Sequence, residues 1–408
     1  MEVMYPRCAG LDVHQKTVVA CVRRQRKTKA EHEVRTFGTT TKALEDLSTW
    51  LHENGCTHVA MEATGVFWKP VWYVLEDGFE LLLANASHIR NVPGRKTDVN
   101  DATWIADLLA HGLIKASFVP ETAIQEMRTL TRTRKQLVRE RAKHVQRLHK
   151  ILETANVKIG SLVSDLLGRS GRAVLEAIAD GETDPARLID RTTGRLRASR
   201  ESLQEALRGH VTEHHRFMLR LHLDQIDALD KAITTVDTEV GKTVEPFRDS
   251  VDQLKSVPGV SDIVAQVIVA EIGTDMKRFA TAGHLLSWAG LCPRNDESAG
   301  KRRSTRLRKG GNWLKTTMVQ AAWSAARTKE SYLQAQFLRL RSRRGPKKAV
   351  IAVAASMLTS VYHMLKNGTF YEDMGGDYFE RRDHDRTKRR LLARLAGLGY
   401  EVELRPAA

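Results

Sequence analysis

The chain has few cysteines, no long apolar run and no signal-like start. Its four cysteines lie far apart among 408 residues, without a CxxC spacing. This argues against a zinc site or a disulfide framework and is typical of a reducing compartment. The first residues lack the apolar stretch of a signal peptide, and no uninterrupted apolar run nears the roughly 18 residues that span a bilayer. We therefore expect a cytoplasmic protein without a membrane segment.

Acidic residues are too few to balance the basic ones. There are 65 Lys and Arg against 49 Asp and Glu, a net charge of +16. Such an excess favours a polyanionic partner, because each Lys or Arg placed on a phosphate releases condensed counterions. A basic protein with no role on nucleic acid is the alternative. The length and the 42% hydrophobic composition fit two or three folded domains.

Two nucleotide- and DNA-processing signatures are also missing. No Gly-rich loop of the Walker type occurs, and none of the seven tyrosines has a cluster of Arg and His nearby in sequence. These absences exclude a P-loop energy source and disfavour a tyrosine recombinase.

The first 120 residues alternate between strand-like and helix-like patterns. The β-rich runs are Arg7–Val13, Thr17–Arg23, Glu33–Phe37, Thr57–Glu62 and Phe79–Ala84. The helical spacings are Lys42–His52, Val66–Glu76 and Asn100–His111, the last expected to be opened by Asp98. Three strands followed by strand–helix alternation predict a mixed α/β sheet.

The rest of the chain is mostly helical by pattern. Residues 121–158 contain no Gly or Pro, a second long helix is expected over Arg200–Val240, and the glycine-containing stretch between them is less regular. Two such helices predict an antiparallel coiled-coil arm. Helix, Pro-Gly turn and helix follow over Leu254–Ile272, a helix-hairpin-helix-like element. We expect domains at 1–120, 121–250 and 251–370, with a loosely held charged tail at 371–408.

Four acidic residues stand out by position. Asp12 and Glu62 each end a predicted strand, while Asp98 and Asp101 lie three apart at a predicted helix start. Each alone is most simply a turn residue or a helix cap. Together they predict a hard-oxygen site for Mg²⁺ or Mn²⁺ that assists phosphoryl transfer. His14 is interpreted as a turn residue.

A basic segment without any acid predicts phosphate contact. Lys301–Lys315 also contains Trp313, and its cations are Lys301, Arg302, Arg303, Arg306, Arg308, Lys309 and Lys315. A solvated surface is the alternative interpretation. Arg339–Lys348 is a second basic run, for which the two interpretations are balanced.

Several motifs together resemble a known family. Gly10-Leu-Asp-Val-His14, Met61-Glu-Ala-Thr-Gly65 and Lys96-Thr-Asp-Val-Asn-Asp101, with Trp288–Arg294, Glu297–Lys301 and Lys309–Lys315, are similar to the DEDD-type insertion-sequence transposases. Relatives of that family include the Piv-type DNA invertases and the bridge-RNA-guided recombinases. The resemblance implies an RuvC-like, RNase H-like first domain whose four acids, Asp12, Glu62, Asp98 and Asp101, bind metal.

The resemblance also implies a reaction. A serine nucleophile matches Ser298, and strands would be cut and rejoined through a 5′-phosphoserine intermediate. This chain has Ser-Ala-Gly at that position where Ser-Gly-Gly is common, and Ser304 where glycine is common, so Ser304 is a rival nucleophile. The implied partners are DNA, a guide RNA and further copies of the chain as a dimer or tetramer, in the nucleoid of a bacterial cytoplasm.

Two other functions stay open from the sequence. The first is a hydrolytic RuvC-like nuclease that uses water instead of Ser298, and a covalent protein–DNA adduct separates it from a recombinase. The second is a non-enzymatic basic DNA-binding protein, which metal-dependent cleavage through Asp12 would exclude.

Overall fold

The computed structural model describes residues 2–26, 29–63, 65–85, 89, 100–193, 198–293, 296–298, 301–304, 306–307, 312–382 and 384–403. The chain divides into two compact units, an N-terminal unit of residues 1–119 and a C-terminal unit of residues 120–408. Each is described by itself.

A mixed sheet forms the centre of the N-terminal unit. Its strands are β1 (Arg7–Val13), β2 (Thr17–Arg26), β3 (Lys29–Gly38), β4 (His58–Glu62) and β5 (Glu80–Ala84). Among the described residues the strand order is β3-β2-β1-β4-β5. Strand β2 is antiparallel to both β1 and β3, whereas β4 is parallel to both β1 and β5. The predicted mixed α/β sheet is confirmed.

Helices cover both faces of this sheet, which explains why the middle residues of the central strands β1 and β4 are apolar. Helices α1 (Thr41–Glu53) and α2 (Trp68–Leu75) pack on one face with Leu11, and helix α3 (Asp101–Ala110) packs on the other with Cys8. Successive residues of a strand point to opposite faces, so a strand buried on both sides needs an unbroken apolar run.

Several boundaries in this unit differ from the sequence prediction, most of them by one residue. The third strand extends well beyond Glu33–Phe37 at its N-terminal end. Helix α2 begins at Trp68 rather than Val66, after a turn in which Gly65 has a φ of 55°. Helix α3 was expected to be opened by Asp98, but its N-cap is Asn100, whose side chain accepts a hydrogen bond from the Ala102 amide at 2.9 Å. Asp98 itself lies outside the described residues.

Two long antiparallel helices form an arm in the C-terminal unit. They are α4 (Thr122–Thr154) and, later in the chain, α8 (Glu213–Thr243). Ion pairs join them along their length, Arg134 with Asp237 and Arg141 with Asp230. The partner numbers fall on one helix as they rise on the other, which is the register of an antiparallel pair.

The second predicted long helix, Arg200–Val240, is wrong in its first part. The chain instead forms α7 (Arg200–Leu207), a break, and then α8. Gly209 lies in the break, where a Cβ would approach the Ala155 carbonyl oxygen to 2.5 Å, and Thr212 then caps α8 through a capping box. The stretch called less regular contains α5 (Arg169–Ala179) and α6 (Pro185–Asp190). With the ends of α4 and α8 these short helices enclose a separate apolar core.

The remaining elements complete the C-terminal unit. They are α9 (Arg248–Lys255), α10 (Asp262–Ile272), α11 (Ala282–Trp288), β6 (Asp296–Ser298), β7 (Lys301–Ser304), α12 (Asn312–Ala325), α13 (Tyr332–Arg344), α14 (Pro346–Asn367), α15 (Tyr378–Arg382) and α16 (His384–Gly397). The turn between α9 and α10 contains Gly259, with a φ of 83° and its Cα against the backbone of Ala321. The charged tail, expected to be loosely held, forms α15 and α16.

Helix α14 is the central helix of this part of the unit. Its buried side chains include Val353, Met357 and Val361, and the Tyr362 hydroxyl donates a hydrogen bond to the Phe279 carbonyl oxygen at 3.0 Å. In the part of the chain that the structure describes, α14 alone is long and apolar enough to cross a membrane. Length and composition alone do not distinguish a membrane-spanning helix from a buried core helix such as this one.

Candidate functional site

Two of the four predicted acids end neighbouring parallel strands. Leu11 of β1 is paired with Met61 of β4, so the next residues along, Asp12 and Glu62, lie side by side at the carboxyl edge of the sheet. The Asp12 side chain is 18% exposed and lies 3.1 Å from Nε2 of His14. Parallel pairing therefore brings together residues that are 50 positions apart in the sequence.

The start of α3 lies at the same edge. The Cys8 thiol donates a hydrogen bond to the Ala106 carbonyl oxygen, and Gly10 lies against the backbone of Ala102. Because the helix residue number falls as the β1 residue number rises, the N-terminus of α3 points toward the carboxyl end of β1. Asp101, the first residue of α3, is thereby carried to the end of the sheet that holds Asp12 and Glu62.

Gly10 makes this arrangement possible. An ideal Cβ at Gly10 would lie 2.3 Å from the Ala102 carbonyl oxygen and 2.4 Å from the Ala106 nitrogen. Both atoms belong to the backbone of α3, so neither can move aside as a flexible side chain would. The glycine of the first motif therefore sets how closely α3 approaches β1.

The donor set at this edge is chemically suited to Mg²⁺ or Mn²⁺, since carboxylate oxygens are the ligands these ions prefer. Within the described ranges, however, no group of three or more His, Cys, Asp or Glu side chains is close enough to hold a metal ion. Asp98, the fourth predicted ligand, falls outside those ranges. The four-acid metal site stays a prediction.

His14 lies where the sequence placed it, in the turn between β1 and β2. Its amide donates a hydrogen bond to the Thr17 carbonyl oxygen at 2.9 Å. Its ring also contacts Asp12, a contact that the sequence did not suggest.

Ser298 is the last residue of the first strand of a short hairpin. Its strand β6 pairs antiparallel with β7, and Ser298 is opposite Lys301. Ser304, the rival, ends β7 opposite Asp296, and its hydroxyl accepts a hydrogen bond from the Arg306 amide at 3.2 Å. The sequence did not predict this strand pairing.

The basic segment begins on this hairpin. Lys301 and Arg306 are exposed, and Lys315 is half-buried on α12. The backbone of Arg302 and Arg303 follows β7, while Arg308 and Lys309 lie outside the described residues.

A second group of charged residues was missed from the sequence. Glu271, at the end of α10, is 3% exposed and accepts two hydrogen bonds of 2.8 Å from the guanidinium of Arg132. Arg128 donates to the carbonyl oxygens of Ala270 and Glu271 at 3.0 and 2.8 Å. Burial lowers the pKa of Arg128 to about 10, and Glu271 opposes that shift. The i, i+4 spacing of Arg128 and Arg132 was the available signal.

Two stretches of the chain match known protein families. Residues 9–157 match the model of the DEDD transposases, described as "Transposase", and residues 251–338 match the "Transposase IS116/IS110/IS902 family". Together the two matched regions cover more than half of the chain. The chain belongs to the IS110 family of insertion-sequence transposases.

Individual relatives agree with this membership. The chain is 22% identical over 324 residues to the transposase for insertion sequence element IS1111A of Coxiella burnetii, covering 78% of this chain and 79% of the relative. It is 33% identical over 121 residues to the insertion element IS110 uncharacterized 43.6 kDa protein of Streptomyces coelicolor, a match that spans 29% of each chain. A putative transposase, y4pF/y4sB of Sinorhizobium fredii, is 26% identical over 39% of this chain and 42% of its own length.

Proposed function

We propose that this protein cuts and rejoins DNA strands at the ends of an insertion element. The observation that carries the proposal is the pair Asp12 and Glu62 at the carboxyl edge of the sheet, with the start of α3 at the same edge. The net charge of +16 and the family membership agree with a DNA substrate.

The proposed nucleophile is the hydroxyl of Ser298. Its oxygen forms a bond to the phosphorus of a phosphodiester, and the bond from phosphorus to the 3′ oxygen breaks. The serine proton leaves, and the departing oxygen takes up a proton to become a 3′ hydroxyl. The protein then holds a 5′-phosphoserine, which the 3′ hydroxyl of another strand attacks to restore a phosphodiester and free serine. One ester bond replaces another at each step, so no nucleoside triphosphate is consumed.

The chain supplies positive charge beside the proposed nucleophile. Lys301 lies opposite Ser298 in the hairpin, and the basic segment continues beyond it. A cation there stabilises the negative charge that develops on the phosphate oxygens during attack. Asp12, Glu62, Asp98 and Asp101 would hold Mg²⁺ or Mn²⁺, which would activate the attacking oxygen and stabilise the leaving one.

The partners belong to the same proposal. We infer that the protein acts as a dimer or tetramer on the nucleoid in a bacterial cytoplasm, with a non-coding guide RNA choosing target and donor. Sequencing the RNA that copurifies with the protein, and mapping it beside the element ends, tests the guide.

A trapped adduct is the sharpest test of the reaction. The wild-type protein is incubated with element-end DNA and Mg²⁺, denatured and resolved on a gel. Ser298→Ala should lose the slow-migrating protein–DNA species while the circular dichroism spectrum stays that of the wild type. Ser304→Ala is the matched control and should keep the adduct.

Three outcomes would contradict the assignment. An adduct in Ser298→Ala that disappears in Ser304→Ala would make Ser304 the nucleophile. Cleavage by the wild type without any adduct would favour a hydrolytic nuclease. Binding without metal-dependent cleavage would favour a non-enzymatic DNA-binding protein.

A further inference from the structure

Three cations of the arm surround one tryptophan. Trp313 lies in the first turn of α12, and the guanidinium carbons of Arg132 and Arg139 are each 5.5 Å from its ring centre. The Lys135 ammonium is 5.8 Å from the same centre. Residues 132, 135 and 139 share one face of α4, since helix neighbours are spaced three or four apart.

The three cations differ in how their charge is balanced. Arg132 is paired with the buried carboxylate of Glu271. Lys135 donates only to uncharged oxygens, the Trp313 carbonyl at 3.3 Å and the hydroxyls of Thr316 and Thr317 at 2.5 and 3.2 Å. Arg139 is exposed, and within the described residues its contact is with the indole. Among the described residues, neither Lys135 nor Arg139 is therefore hydrogen-bonded or ion-paired to a carboxylate, and Glu271 acts on Lys135 only from a greater distance.

Electrostatics around Lys135 agrees with this account. Burial lowers the pKa of the Lys135 ammonium, and the positive charge of Arg139 lowers it further, while Glu271 acts in the opposite direction. Two like charges held close to the same indole repel each other, and an anion bound beside them would relieve that repulsion.

A purely structural role explains only part of the geometry. Stacking of a cation on an indole stabilises the contact between the two helices, and one such contact would be enough to anchor α12 on the arm. Arg132 already provides that anchor together with Glu271. Arg139 adds an exposed positive charge that repels Lys135, and within the described part of the chain it has no ion pair with an acid.

We propose that Arg139, held in place by Trp313, binds a phosphodiester of the nucleic-acid backbone where the arm meets α12, and that the neighbouring Lys135 ammonium adds its positive charge to the site. The proposal rests on the proposed function, because it assumes that the protein works on nucleic acid. It adds a contact site on the arm that lies outside the basic segment Lys301–Lys315. Phosphate is the group recognised, so the contact should not depend on base sequence.

The test measures the salt dependence of binding. Fluorescence anisotropy with a random-sequence DNA duplex and a random-sequence single-stranded RNA gives the slope of log affinity against log salt concentration. Arg139→Gln, which removes an exposed charge, should reduce the slope by about 0.9 on duplex DNA or about 0.7 on single-stranded RNA. A reduced slope with only one of the two probes identifies that nucleic acid, DNA or RNA, as the source of the phosphate.

Lys150→Gln is the matched control. It removes one exposed cation from the same helix about 16 Å farther along, at 1.5 Å per residue, and should leave both slopes unchanged. Trp313→Phe, which keeps an aromatic ring beside the cations, should reduce the salt-dependence slope less than Trp313→Leu does. Thermal melting of every variant checks the fold.

Two results would overturn the site. One is an unchanged slope with both probes in folded Arg139→Gln. The other is an equal reduction of the slope in Lys150→Gln, which would mean that the whole positive surface of the helix attracts nucleic acid without a specific site. If the wild type bound neither probe, the proposed function itself would fail. If binding behaved as expected but Ser298→Ala still formed the adduct, the phosphate site would stand and only the proposed nucleophile would fall.

Discussion

Glu271 and Arg132 form a bidentate ion pair in which both carboxylate oxygens accept hydrogen bonds of 2.8 Å from one guanidinium. The acid is 3% exposed, and it comes from α10 while the arginine comes from α4. This pair fixes the start of the arm to the helices that follow it.

Removing the acid should destabilise the C-terminal unit strongly. Glu271→Gln leaves the largely buried guanidinium of Arg128 and the half-exposed one of Arg132 without their counter-charge, so we expect a loss of about 3 kcal/mol in the free energy of unfolding, measured by urea denaturation. Asp237→Asn, which breaks the more exposed pair with Arg134, should cost about 1 kcal/mol or less. Equal losses in the two variants would mean that burial does not decide the strength of the Glu271 pair.

Adding a single methyl group at Gly10 should damage both the fold and the activity. Gly10→Ala places a Cβ against the backbone of Ala102 and Ala106, so α3 must move away, at a cost of about 1–3 kcal/mol. Asp101 moves with α3, so strand cleavage should fall further than the loss of folded protein explains. Gly241→Ala, with nothing within 4 Å of the new Cβ, should instead stabilise its helix by about 0.5–1 kcal/mol. A wild-type melting temperature in Gly10→Ala would contradict the close approach.

Neutralising Asp12 should separate cleavage from binding. Asp12→Asn keeps the size of the side chain but removes a negative charge from the proposed metal site, so cleavage of element-end DNA in Mg²⁺ should disappear. Affinity for the same DNA should be equal or slightly higher. The control is Asp46→Asn, which removes an exposed acid on α1 and should leave cleavage intact. Full recombination by Asp12→Asn would exclude this residue from the metal site.

A histidine pair should make the arm sensitive to acid. Nδ1 of His144 and Nδ1 of His222 are 3.2 Å apart, and the pKa of each ring lies below the usual 6.5 because of desolvation and then nearby positive charge. The unfolded chain therefore binds more protons near pH 5–6 than the folded chain does. Stability should be complete above about pH 6.5 and should fall as the pH drops below it. Melting temperatures between pH 5 and 7.5 measure this, and His222→Gln should flatten the profile.

The N-terminal fold was predictable because its signals are local. Apolar runs marked β1, β4 and β5, and each acid at a strand end could be identified as a candidate before the pairing was known. The register that makes Asp12 and Glu62 neighbours follows from parallel pairing, which a single sequence indicates only through the strand–helix alternation.

The parts that were missed depend on distant contacts. Strands β6 and β7 are short and strongly charged, so they lack the alternation that marks a half-buried strand. Glu271 lies in an apolar helix, and its partner Arg132 is 139 residues away in the sequence. Lys135 and Trp313 are likewise separated by 178 residues. The break between α7 and α8 was overlooked because the apolar spacing on both sides resembles one helix.

The middle of the arm has no buried core of its own. No residue between Arg132 and Arg147 on α4, or between Asp227 and Glu239 on α8, is buried, whereas the residues beyond both limits include Thr131, Leu148, Ile226 and Val240, all buried. Exposed ion pairs span this middle, and salt screens such pairs. The small core at the far end, around Leu148 and Leu223, can therefore melt and re-form as its own cooperative unit while the base of the arm stays folded. Hydrogen exchange would then divide the C-terminal unit into an easily opened tip and a slowly exchanging base.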